Sequence, residues 1–274
     1  MERLKSWGRL LGLIVVLWSG IGGMGELMAQ EEDFWPDRIV EEKGWIPMRK
    51  ALTRPADVQK LYQKGGVLPH DSILSQFPHI EGLILQDVAM ADLSILRHFH
   101  NLTVFECSGN RLKSIAGIDS VPGLQEVSIT NNFVKQVGPL RKLTGLKTLN
   151  LYANELEDVN PLMDLVGLTH LDLSKNNLAH IDSLYWMTDL EFLSLYRCAN
   201  LRNVDPIRNF RQLRSLNLSG LELPDFSVTL LDSLLQLEDL RVQGVIKSNA
   251  EVALLGKPTT LRSLTMGRND EVTN

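Results

Sequence analysis

Two histidine-containing pairs have residue types and spacing that could support chemistry. His98 and His100 flank Phe99 and could begin a metal site, but no further ligands follow at a suitable spacing. His170 and Asp172 are two residues apart, so on a strand they would share one face and could hydrogen-bond for acid–base chemistry. No nucleophile or oxyanion donor accompanies them, and the sequence lacks HExxH, GxSxG and a phosphate-binding glycine loop. We therefore predict no catalytic residue, no metal site and no cofactor.

The composition restricts the class of protein. The chain has 274 residues, 44% of them apolar, which is enough for a core and argues against a disordered polymer. Its 28 basic and 33 acidic residues give a net charge of −5, which disfavours nucleic-acid binding because that function normally needs a basic face. Two cysteines cannot build a disulfide-rich scaffold or a four-cysteine zinc site. Only 6% of the residues are aromatic, and the excess of leucine indicates a repeating framework.

The leucines recur in a fixed frame. Residues 168–176 are LTHLDLSKN, and the pattern LxxLxLxxN begins again every 22 residues through the middle of the chain. Weaker copies extend the frame in both directions, and the step grows to 23 and then 24 residues towards the C-terminus. About ten repeats therefore fill residues 58–274, and the last is incomplete. The repeats begin at Val58, Ile80, Leu102, Leu124, Leu146, Leu168, Leu190, Leu213, Leu237 and Leu261.

Each repeat combines two apolar periodicities. In the sixth copy Leu171 and Leu173 are two residues apart, as on one face of a β-strand. The apolar residues that follow are three residues apart, which suits short 3₁₀ turns better than an α-helix. These residues are Leu178, Ile181, Leu184 and Met187. Neither half can bury its apolar face alone, so the copies are predicted to stack into a solenoid with a continuous core.

This frame resembles the leucine-rich repeat family, and the step of 22 residues is similar to the short bacterial, internalin-like subclass. The run from Asn154 through Leu156, Val159 and Leu162 to Leu165 carries the same resemblance. The resemblance covers about four-fifths of the chain. It implies an α/β-type solenoid, an arc with a parallel β-sheet on its concave side and short 3₁₀ or irregular arms on its convex side. It also implies protein binding as the usual role.

One polar position of the frame is occupied by asparagine in four successive repeats and by cysteine in the next. A buried asparagine must find hydrogen-bond partners, and stacked copies can bridge the backbone of adjacent turns. We therefore predict a structural ladder of Asn110, Asn132, Asn154, Asn176 and Cys198. Cys107 is four repeats from Cys198, about 19 Å at the strand spacing. A disulfide needs Cα atoms within about 7 Å, so both cysteines are predicted to be free and buried.

The first 29 residues have the order of an export signal. Three basic residues precede an apolar core at 10–18, and small residues then lead to Ala29, where a signal peptidase could cut. A membrane span needs roughly 20 apolar residues, so the alternative of an uncleaved anchor is less favoured. We predict a signal peptide at 1–29 and no stable membrane span after its removal. The protein would be exported, as a periplasmic, surface-bound or secreted protein of bacterial origin.

Residues 30–57 precede the frame and are rich enough in apolar residues to cover its exposed first repeat. Solenoid ends need such a cover, because the terminal repeat has no neighbour on one side. We therefore predict an N-terminal cap at 30–57. Its apolar residues are Phe34, Trp35, Trp45 and Ile46.

The outward residues of the strands are the candidates for binding. In each frame the third, fifth and seventh residues point away from the core if the strand alternates. Most are small and polar, but aromatic and ionisable residues gather on three adjacent central repeats, with two acids on their N-terminal side. Exposed aromatic residues framed by polar ones are typical of interfaces. The predicted binding residues are Tyr152, His170, Asp172, Phe192, Tyr196, Asn150, Glu126 and Glu106.

The sequence thus predicts a non-enzymatic module that binds a protein partner, and not nucleic acid, through its concave face. One alternative is a glycan- or cell-wall-binding envelope protein, in which Tyr152, Phe192 and Tyr196 would stack on sugars. The acceptors for hydroxyl hydrogen bonds would then be Asp172, Asn150 and Glu126. Another is a structural spacer within a larger protein. The aromatic residues could also pack against one another on a surface that has no partner.

Overall fold

Each repeat contributes one short strand to a single parallel sheet in the computed structural model, which describes residues 45–52, 55–246, 251, 255 and 260–266. The 11 strands follow one another in chain order, and neighbours in the sequence are neighbours in the sheet. The strands are β1 (Ile46–Pro47), β2 (Lys60–Lys64), β3 (Gly82–Gln86), β4 (Val104–Glu106), β5 (Glu126–Ser128), β6 (Thr148–Asn150), β7 (His170–Asp172), β8 (Phe192–Ser194), β9 (Ser215–Asn217), β10 (Asp239–Arg241) and β11 (Ser263–Thr265). This confirms the predicted solenoid fold.

Short 3₁₀ segments return the chain from one strand to the next, as the spacing of three predicted. They are η1 (Pro55–Asp57), η2 (Ser94–His98), η3 (Ile118–Ser120), η4 (Gly138–Lys142), η5 (Asn160–Asp164), η6 (Asp182–Trp186), η7 (Asp205–Asn209) and η8 (Val228–Ser233). α-Helical turns occur near the N-terminal end as α1 (Met48–Ala51) and α2 (Asp71–Leu74). None of the helical segments in the described part of the chain has the length and hydropathy of a membrane span.

The strand register matches the repeat frame throughout the sheet. Thr148 pairs with His170, and His170 pairs with Phe192, all at the third frame position. The register is unchanged where the repeats lengthen, since Asp239 pairs with Ser263 across a step of 24 residues. The additional residues therefore lie in the arms, where η8 has 6 residues and η4 to η7 have 5 each.

The core is the stack of the apolar frame positions. Leu168, Leu171 and Leu173 are fully buried, and so are the four arm residues predicted to accompany them, Leu178, Ile181, Leu184 and Met187. Buried residues of successive repeats form one continuous cluster from Met48 to Leu255. Burying one leucine contributes about 1.5–3 kcal/mol, and most of each burial is against the neighbouring repeat. The stack rather than the single repeat is therefore the stable unit.

The N-terminal end of the described sheet is extended by β1, which pairs in parallel with β2. From α1, Met48 and Ala51 join the core cluster. Trp45 lies on the sheet itself, because a Cβ added to Gly82 would be 2.7 Å from its Cη2 atom. The cap predicted at 30–57 is thus described only from Trp45 onwards. Phe34, Trp35 and the predicted signal peptide at 1–29 lie outside the described residues.

The asparagines of the predicted ladder are buried and join each repeat to the one before it. In Asn154, Oδ1 accepts a hydrogen bond from Val134 N at 3.1 Å, and Nδ2 donates to Ile129 O at 2.6 Å and Leu151 O at 3.1 Å. The other three asparagines make equivalent bonds to the preceding turn. Cys198 Sγ donates to Leu173 O at 3.2 Å. These side chains satisfy backbone groups that the strand pairing leaves without partners.

The residue after the seventh frame position adopts a left-handed backbone conformation in successive repeats. Glycine meets this requirement at Gly109, Gly220 and Gly244, but Ala153 and Lys175 adopt it with φ of 53° each. A left-handed conformation costs a non-glycine residue about 1–2 kcal/mol. The repeated turn explains why the chain leaves each strand in the same direction, and the frame alone did not predict it.

We predict that Asn154→Ala lowers the free energy of unfolding by about 3 kcal/mol, because backbone groups of the preceding repeat would be buried without partners. The measurement is urea denaturation followed by circular dichroism. Asn177→Ala is the matched control, since that side chain is exposed and its backbone N–H bond to Leu156 O is retained. Equal denaturation midpoints for the two variants would contradict a stabilising role of the ladder.

Candidate functional site

Three adjacent strands bring the central candidates together on the outer face, the face of the sheet turned away from the core. Asp172 pairs with Asn150 of β6, and Ser194 of β8 pairs with Asp172 on the other side. Asp172 is therefore the centre of a three-by-three grid, with His170 before it and Ser174 after it along the chain. The corners of the grid are Thr148, Tyr152, Phe192 and Tyr196. We call this group the basin, with a floor of Asp172, Ser174 and Ser194 and a rim of Tyr152, His170, Phe192 and Tyr196.

The floor of the basin is buried although its side chains leave the outer face of the sheet. Asp172 is 4% exposed, Ser174 1% and Ser194 2%. The rim residues are half-buried. We attribute this burial to the larger side chains at the neighbouring grid positions, Tyr152, His170, Phe192 and Tyr196. The sequence placed Asp172 on the outer face but gave no sign that its carboxyl group would be covered.

The carboxyl group of Asp172 is only half satisfied. Oδ1 accepts a hydrogen bond from Ser174 N at 2.8 Å, while Oδ2 is buried and has no hydrogen-bond partner among the described residues. The Oγ atoms of Ser174 and Ser194 lie 2.7 Å apart in a hydrogen bond with each other. Burial raises the pKa of Asp172 to about 6, against the opposing effect of the Ser174 hydrogen bonds. At neutral pH the basin therefore holds a poorly solvated negative charge.

His170 does not hydrogen-bond to Asp172, so the acid–base pair that their spacing allowed does not form. The Nδ1 atom of His170 lies 2.9 Å from Thr169 Oγ1, and its ring stacks on Phe192 with centroids 6.1 Å apart. Burial lowers the pKa of His170, although the charge of Glu191 opposes this effect. His170 is therefore a rim residue that packs on Phe192 beside the floor.

The two tyrosines of the rim are each covered by a cation. Lys175 Nζ lies 4.9 Å from the ring centroid of Tyr152, and the guanidinium carbon of Arg197 lies 5.1 Å from that of Tyr196. Such contacts contribute about 0.5–1 kcal/mol at exposed sites. Both cations come from the left-handed position after the strand. Both tyrosines of the rim thus have a cation as a neighbour.

Acidic candidates lie on the N-terminal side of the basin. Glu106 Oε1 accepts hydrogen bonds from Gln86 Nε2 at 2.6 Å and Ser108 Oγ at 3.1 Å. Burial raises the pKa of Glu106, although these two bonds oppose the effect. For Glu126, burial raises the pKa to about 7 against the charge of Lys60, and Oε2 has no hydrogen-bond partner within the described ranges. Glu126 pairs with Thr148, so it lies next to the corner of the basin that lacks an aromatic side chain.

The fifth frame position has a structural task that sequence analysis missed. Asn150 Oδ1 accepts a hydrogen bond from Tyr152 N at 2.9 Å, and Asn217 Oδ1 accepts one from Ser219 N at 3.0 Å. Asp172 Oδ1 makes the same bond to Ser174 N. A side-chain oxygen here therefore satisfies the backbone N–H two residues later, where the strand ends. Asn150 is committed to this bond, whereas Asp172 still has Oδ2 available.

The remaining histidines and the two cysteines form neither a metal site nor a reactive thiolate in the described part of the chain. Within the described ranges no three His, Cys, Asp or Glu side chains come close enough together to hold a metal ion. Cys107 and Cys198 are free and buried, as predicted. Burial raises the pKa of both thiols to about 12, so both stay protonated at neutral pH.

The family assignment follows from the repeat sequence and the fold together. Residues 122–162 match the family model described as Leucine Rich repeats (2 copies). The chain is built of leucine-rich repeats. Among curated proteins, no sequence matches this leucine-rich-repeat chain.

Solved structures share the solenoid fold at low sequence identity. An internalin of Listeria monocytogenes is 18% identical, with a TM-score of 0.56 over 85% of this chain and 89% of that one. A leucine-rich repeat protein of Leptospira interrogans is 21% identical, with a TM-score of 0.61 over 84% of this chain and 72% of that one. The ectodomain of a receptor kinase of Arabidopsis thaliana, in complex with CASPARIAN STRIP INTEGRITY FACTOR 2, is 22% identical, with a TM-score of 0.56 over 77% of this chain and 26% of that one.

A second aromatic group lies on the arms of the leucine-rich repeats, and sequence analysis missed it. Tyr185 and Trp186 of η6 are 45% and 62% exposed, and their rings meet edge to face with centroids 4.9 Å apart. Met163 and Val166 of the preceding repeat are also exposed. The repeat frame could have predicted their exposure, because Tyr185 and Trp186 fall between the buried arm positions Leu184 and Met187.

We predict that Asp172→Asn removes a pH dependence of stability. The folded state holds the Asp172 proton more tightly than the unfolded state, so the wild type gains stability as pH falls through about 6. Between pH 7.5 and pH 5 the wild type should gain about 1 kcal/mol more in free energy of unfolding than the variant. Urea denaturation at the two pH values measures the difference. The exposed Glu157→Gln is the control, and a variant whose gain equals that of the wild type would contradict the burial of this charge.

Proposed function

We propose that this protein is an exported leucine-rich-repeat module that binds a protein partner through the outer, concave face of its sheet. The observation that carries the proposal is the basin, where aromatic residues from adjacent strands surround a buried carboxyl group. Interfaces are enriched in aromatic anchors around a water-excluded centre. Only 6% of the residues in this chain are aromatic, yet three of them occupy corners of one grid on the outer face, where they do not contribute to the core.

The solenoid supports binding because it holds the basin rigidly. Asp172 and Ser194 are paired with strands on both sides, the backbone carbonyl of Ser174 accepts a hydrogen bond from Ala153 N, and the ladder bonds fix the turns where the strands end. A preorganised surface loses little conformational entropy on association, so more of the contact energy appears as affinity. The Arabidopsis receptor ectodomain, which shares the fold, is in complex with CASPARIAN STRIP INTEGRITY FACTOR 2. It supports the class of function and leaves the partner of this chain to experiment.

We assign different roles to the candidate residues. Tyr152, Phe192 and Tyr196 are the proposed anchors, and Asp172 and His170 form the polar centre of the contact. Glu126 stands beside this centre as a further contact. Asn150 and Glu106 are already hydrogen-bonded within the sheet, so we propose that they position their neighbours. The asparagines and Cys198 of the ladder keep a structural role.

Export and domain organisation complete the proposal. The basic, apolar and small-residue order of 1–29 supports a cleaved signal peptide and a bacterial periplasmic, surface-bound or secreted product. We propose that 30–57 forms a cap and 58–274 the solenoid. The pairing of β1 with β2 and the entry of Met48 into the core support a cap that continues the stack.

A glycan ligand is less well supported than a protein partner. Sugars bind proteins by stacking on open aromatic faces, but each rim aromatic already has a neighbour over one face. Lys175 covers Tyr152, Arg197 covers Tyr196, and His170 covers Phe192. No contact of the described residues favours a spacer without a binding role.

The test is capture of proteins from envelope and host-protein extracts on the immobilised, purified protein. The variant Tyr152→Ala/Phe192→Ala/Tyr196→Ala should lose capture of the specific partner, because truncating an aromatic anchor costs about 2 kcal/mol or more, about thirtyfold in affinity. The matched control is Tyr185→Ala/Trp186→Ala, which removes exposed aromatics from the arms. Circular dichroism confirms that both variants are folded.

Loss of capture in the triple variant with retention in the arm variant would support binding through the outer face. The reverse pattern would place the partner on the arms and overturn the proposal. Equal capture by all three proteins would show that neither aromatic group contributes. Absence of any captured protein, with a signal on a glycan array instead, would favour the envelope-glycan alternative.

A further inference from the structure

We propose that the basin accepts the cationic side chain of a lysine or arginine of the protein partner, with Oδ2 of Asp172 as the acceptor. This inference rests on the proposed function and names the chemistry of its contact. The partner is expected to present a basic residue at the centre of its interface, enclosed by Tyr152, Phe192 and Tyr196.

The hydrogen bonding of the Asp172 carboxyl group is incomplete. A buried acceptor without a partner costs about 1–3 kcal/mol, and a charged one costs more. Oδ2 of Asp172 has no hydrogen-bond partner among the described residues, and in the same part of the chain no lysine or arginine forms an ion pair with it. A partner cation would supply both the missing donor and the missing charge, and such charge-assisted hydrogen bonds are about twice as strong as neutral ones.

Other acids on the same face show how the sheet satisfies a carboxylate internally. Oδ2 of Asp239 has Arg241 Nε at 3.2 Å and the hydroxyl of Ser215 at 3.2 Å, so this carboxylate has a cation beside it, although its Oδ1 is buried without a hydrogen-bond partner among the described residues. Glu106 has two side-chain donors, Gln86 from the preceding repeat and Ser108 from its own repeat. Among the described residues Asp172 is hydrogen-bonded by Ser174, whose backbone N–H donates to Oδ1, and no cation is paired with it. The cations that follow β7 and β8, Lys175 and Arg197, lie over tyrosine rings.

The rim has one low corner, where the grid carries no aromatic side chain. Three corners of the grid are aromatic, and the fourth is Thr148. Beside that corner lies Glu126, whose Oε2 also lacks a hydrogen-bond partner in the described part of the chain. A cation that enters over Thr148 therefore meets one carboxylate at the entrance and a second in the floor. Lys175 and Arg197 follow the strands at the opposite edge of the grid and do not block this path.

The shape of the basin suits a lysine or arginine rather than a free ion. Both side chains have apolar stems that pack on aromatic rings while the charged end is hydrogen-bonded. The cation would also be close to the tyrosine and phenylalanine of the rim, which favours it electrostatically. Because Asp172 is buried, entry requires the rim side chains to move, while the backbone of Asp172 stays fixed by strand pairing.

The experiment is a nuclear magnetic resonance titration of the protein purified in its exported form. The reporter is the backbone amide of Ser174, because this N–H donates to Asp172 Oδ1. The probes are n-butylguanidinium and n-butylammonium, which carry the head groups of arginine and lysine. The neutral probe n-butylurea has nearly the shape of n-butylguanidinium and no charge.

At pH 7.5 the two cationic probes should shift the Ser174 amide in a saturable manner, at least tenfold more tightly than n-butylurea. Binding should weaken at least tenfold in Asp172→Asn. Glu157→Gln, which removes one exposed negative charge elsewhere, should bind as the wild type does. Affinity should also fall at pH 5, where the carboxyl group is mostly protonated.

Equal affinity for n-butylurea, or unchanged binding by Asp172→Asn with a wild-type spectrum elsewhere, would overturn the inference. A shift of the Ser174 amide by chitotriose and not by the cations would assign the basin to a glycan. These results are distinct from failure of the proposed function. If the cations fail to bind while partner capture still depends on Tyr152, Phe192 and Tyr196, the binding face stands and only its basic ligand is wrong.

Discussion

A single repeat of this chain cannot bury its own apolar residues, and the stacking, the asparagine ladder and the outer face all depend on this constraint. Leu171 and Leu173 are covered by the strands on either side, and the arm leucines are covered by the next arm. Stacking also creates a polar problem, because the turns between strand and arm leave backbone groups buried between two repeats. The ladder asparagines resolve it by bonding to the preceding repeat, as Asn154 does with Val134 and Ile129. Stacking and ladder together fix the spacing and register on which the outer face depends.

The basin follows from this fixed register. Residues 22 positions apart in the sequence become neighbours on the sheet, so a short run of unusual outward residues becomes a compact surface. Small residues in the floor and large ones in the rim then remove a carboxyl group from water. Burial of Asp172 costs stability, and the fold tolerates this cost because the surrounding stack supplies a large apolar core. A binding partner that completes the bonding of Asp172 would recover part of that cost.

The sequence predicted those features that depend on local periodicity. The spacing of two in Leu171 and Leu173 and the spacing of three in Ile181 and Leu184 gave the strands and arms, and all four side chains are buried. Features that depend on side chains from several repeats could not be predicted from the sequence in the same way. The burial of Asp172 requires side chains from three strands. The residue type at Lys175 did not predict a left-handed turn, although glycine at the equivalent position of other repeats could have indicated it.

Site-specific photocrosslinking in the producing cells tests the central claim most directly, because it asks which face meets the partner without disturbing the aromatic residues of the basin. A benzoylphenylalanine residue at Thr148 would stand at the low corner of the basin, and one at Trp186 would stand on the exposed arms. The account predicts a discrete protein adduct from position 148 and none of that mass from position 186. An adduct from position 186 alone would contradict it.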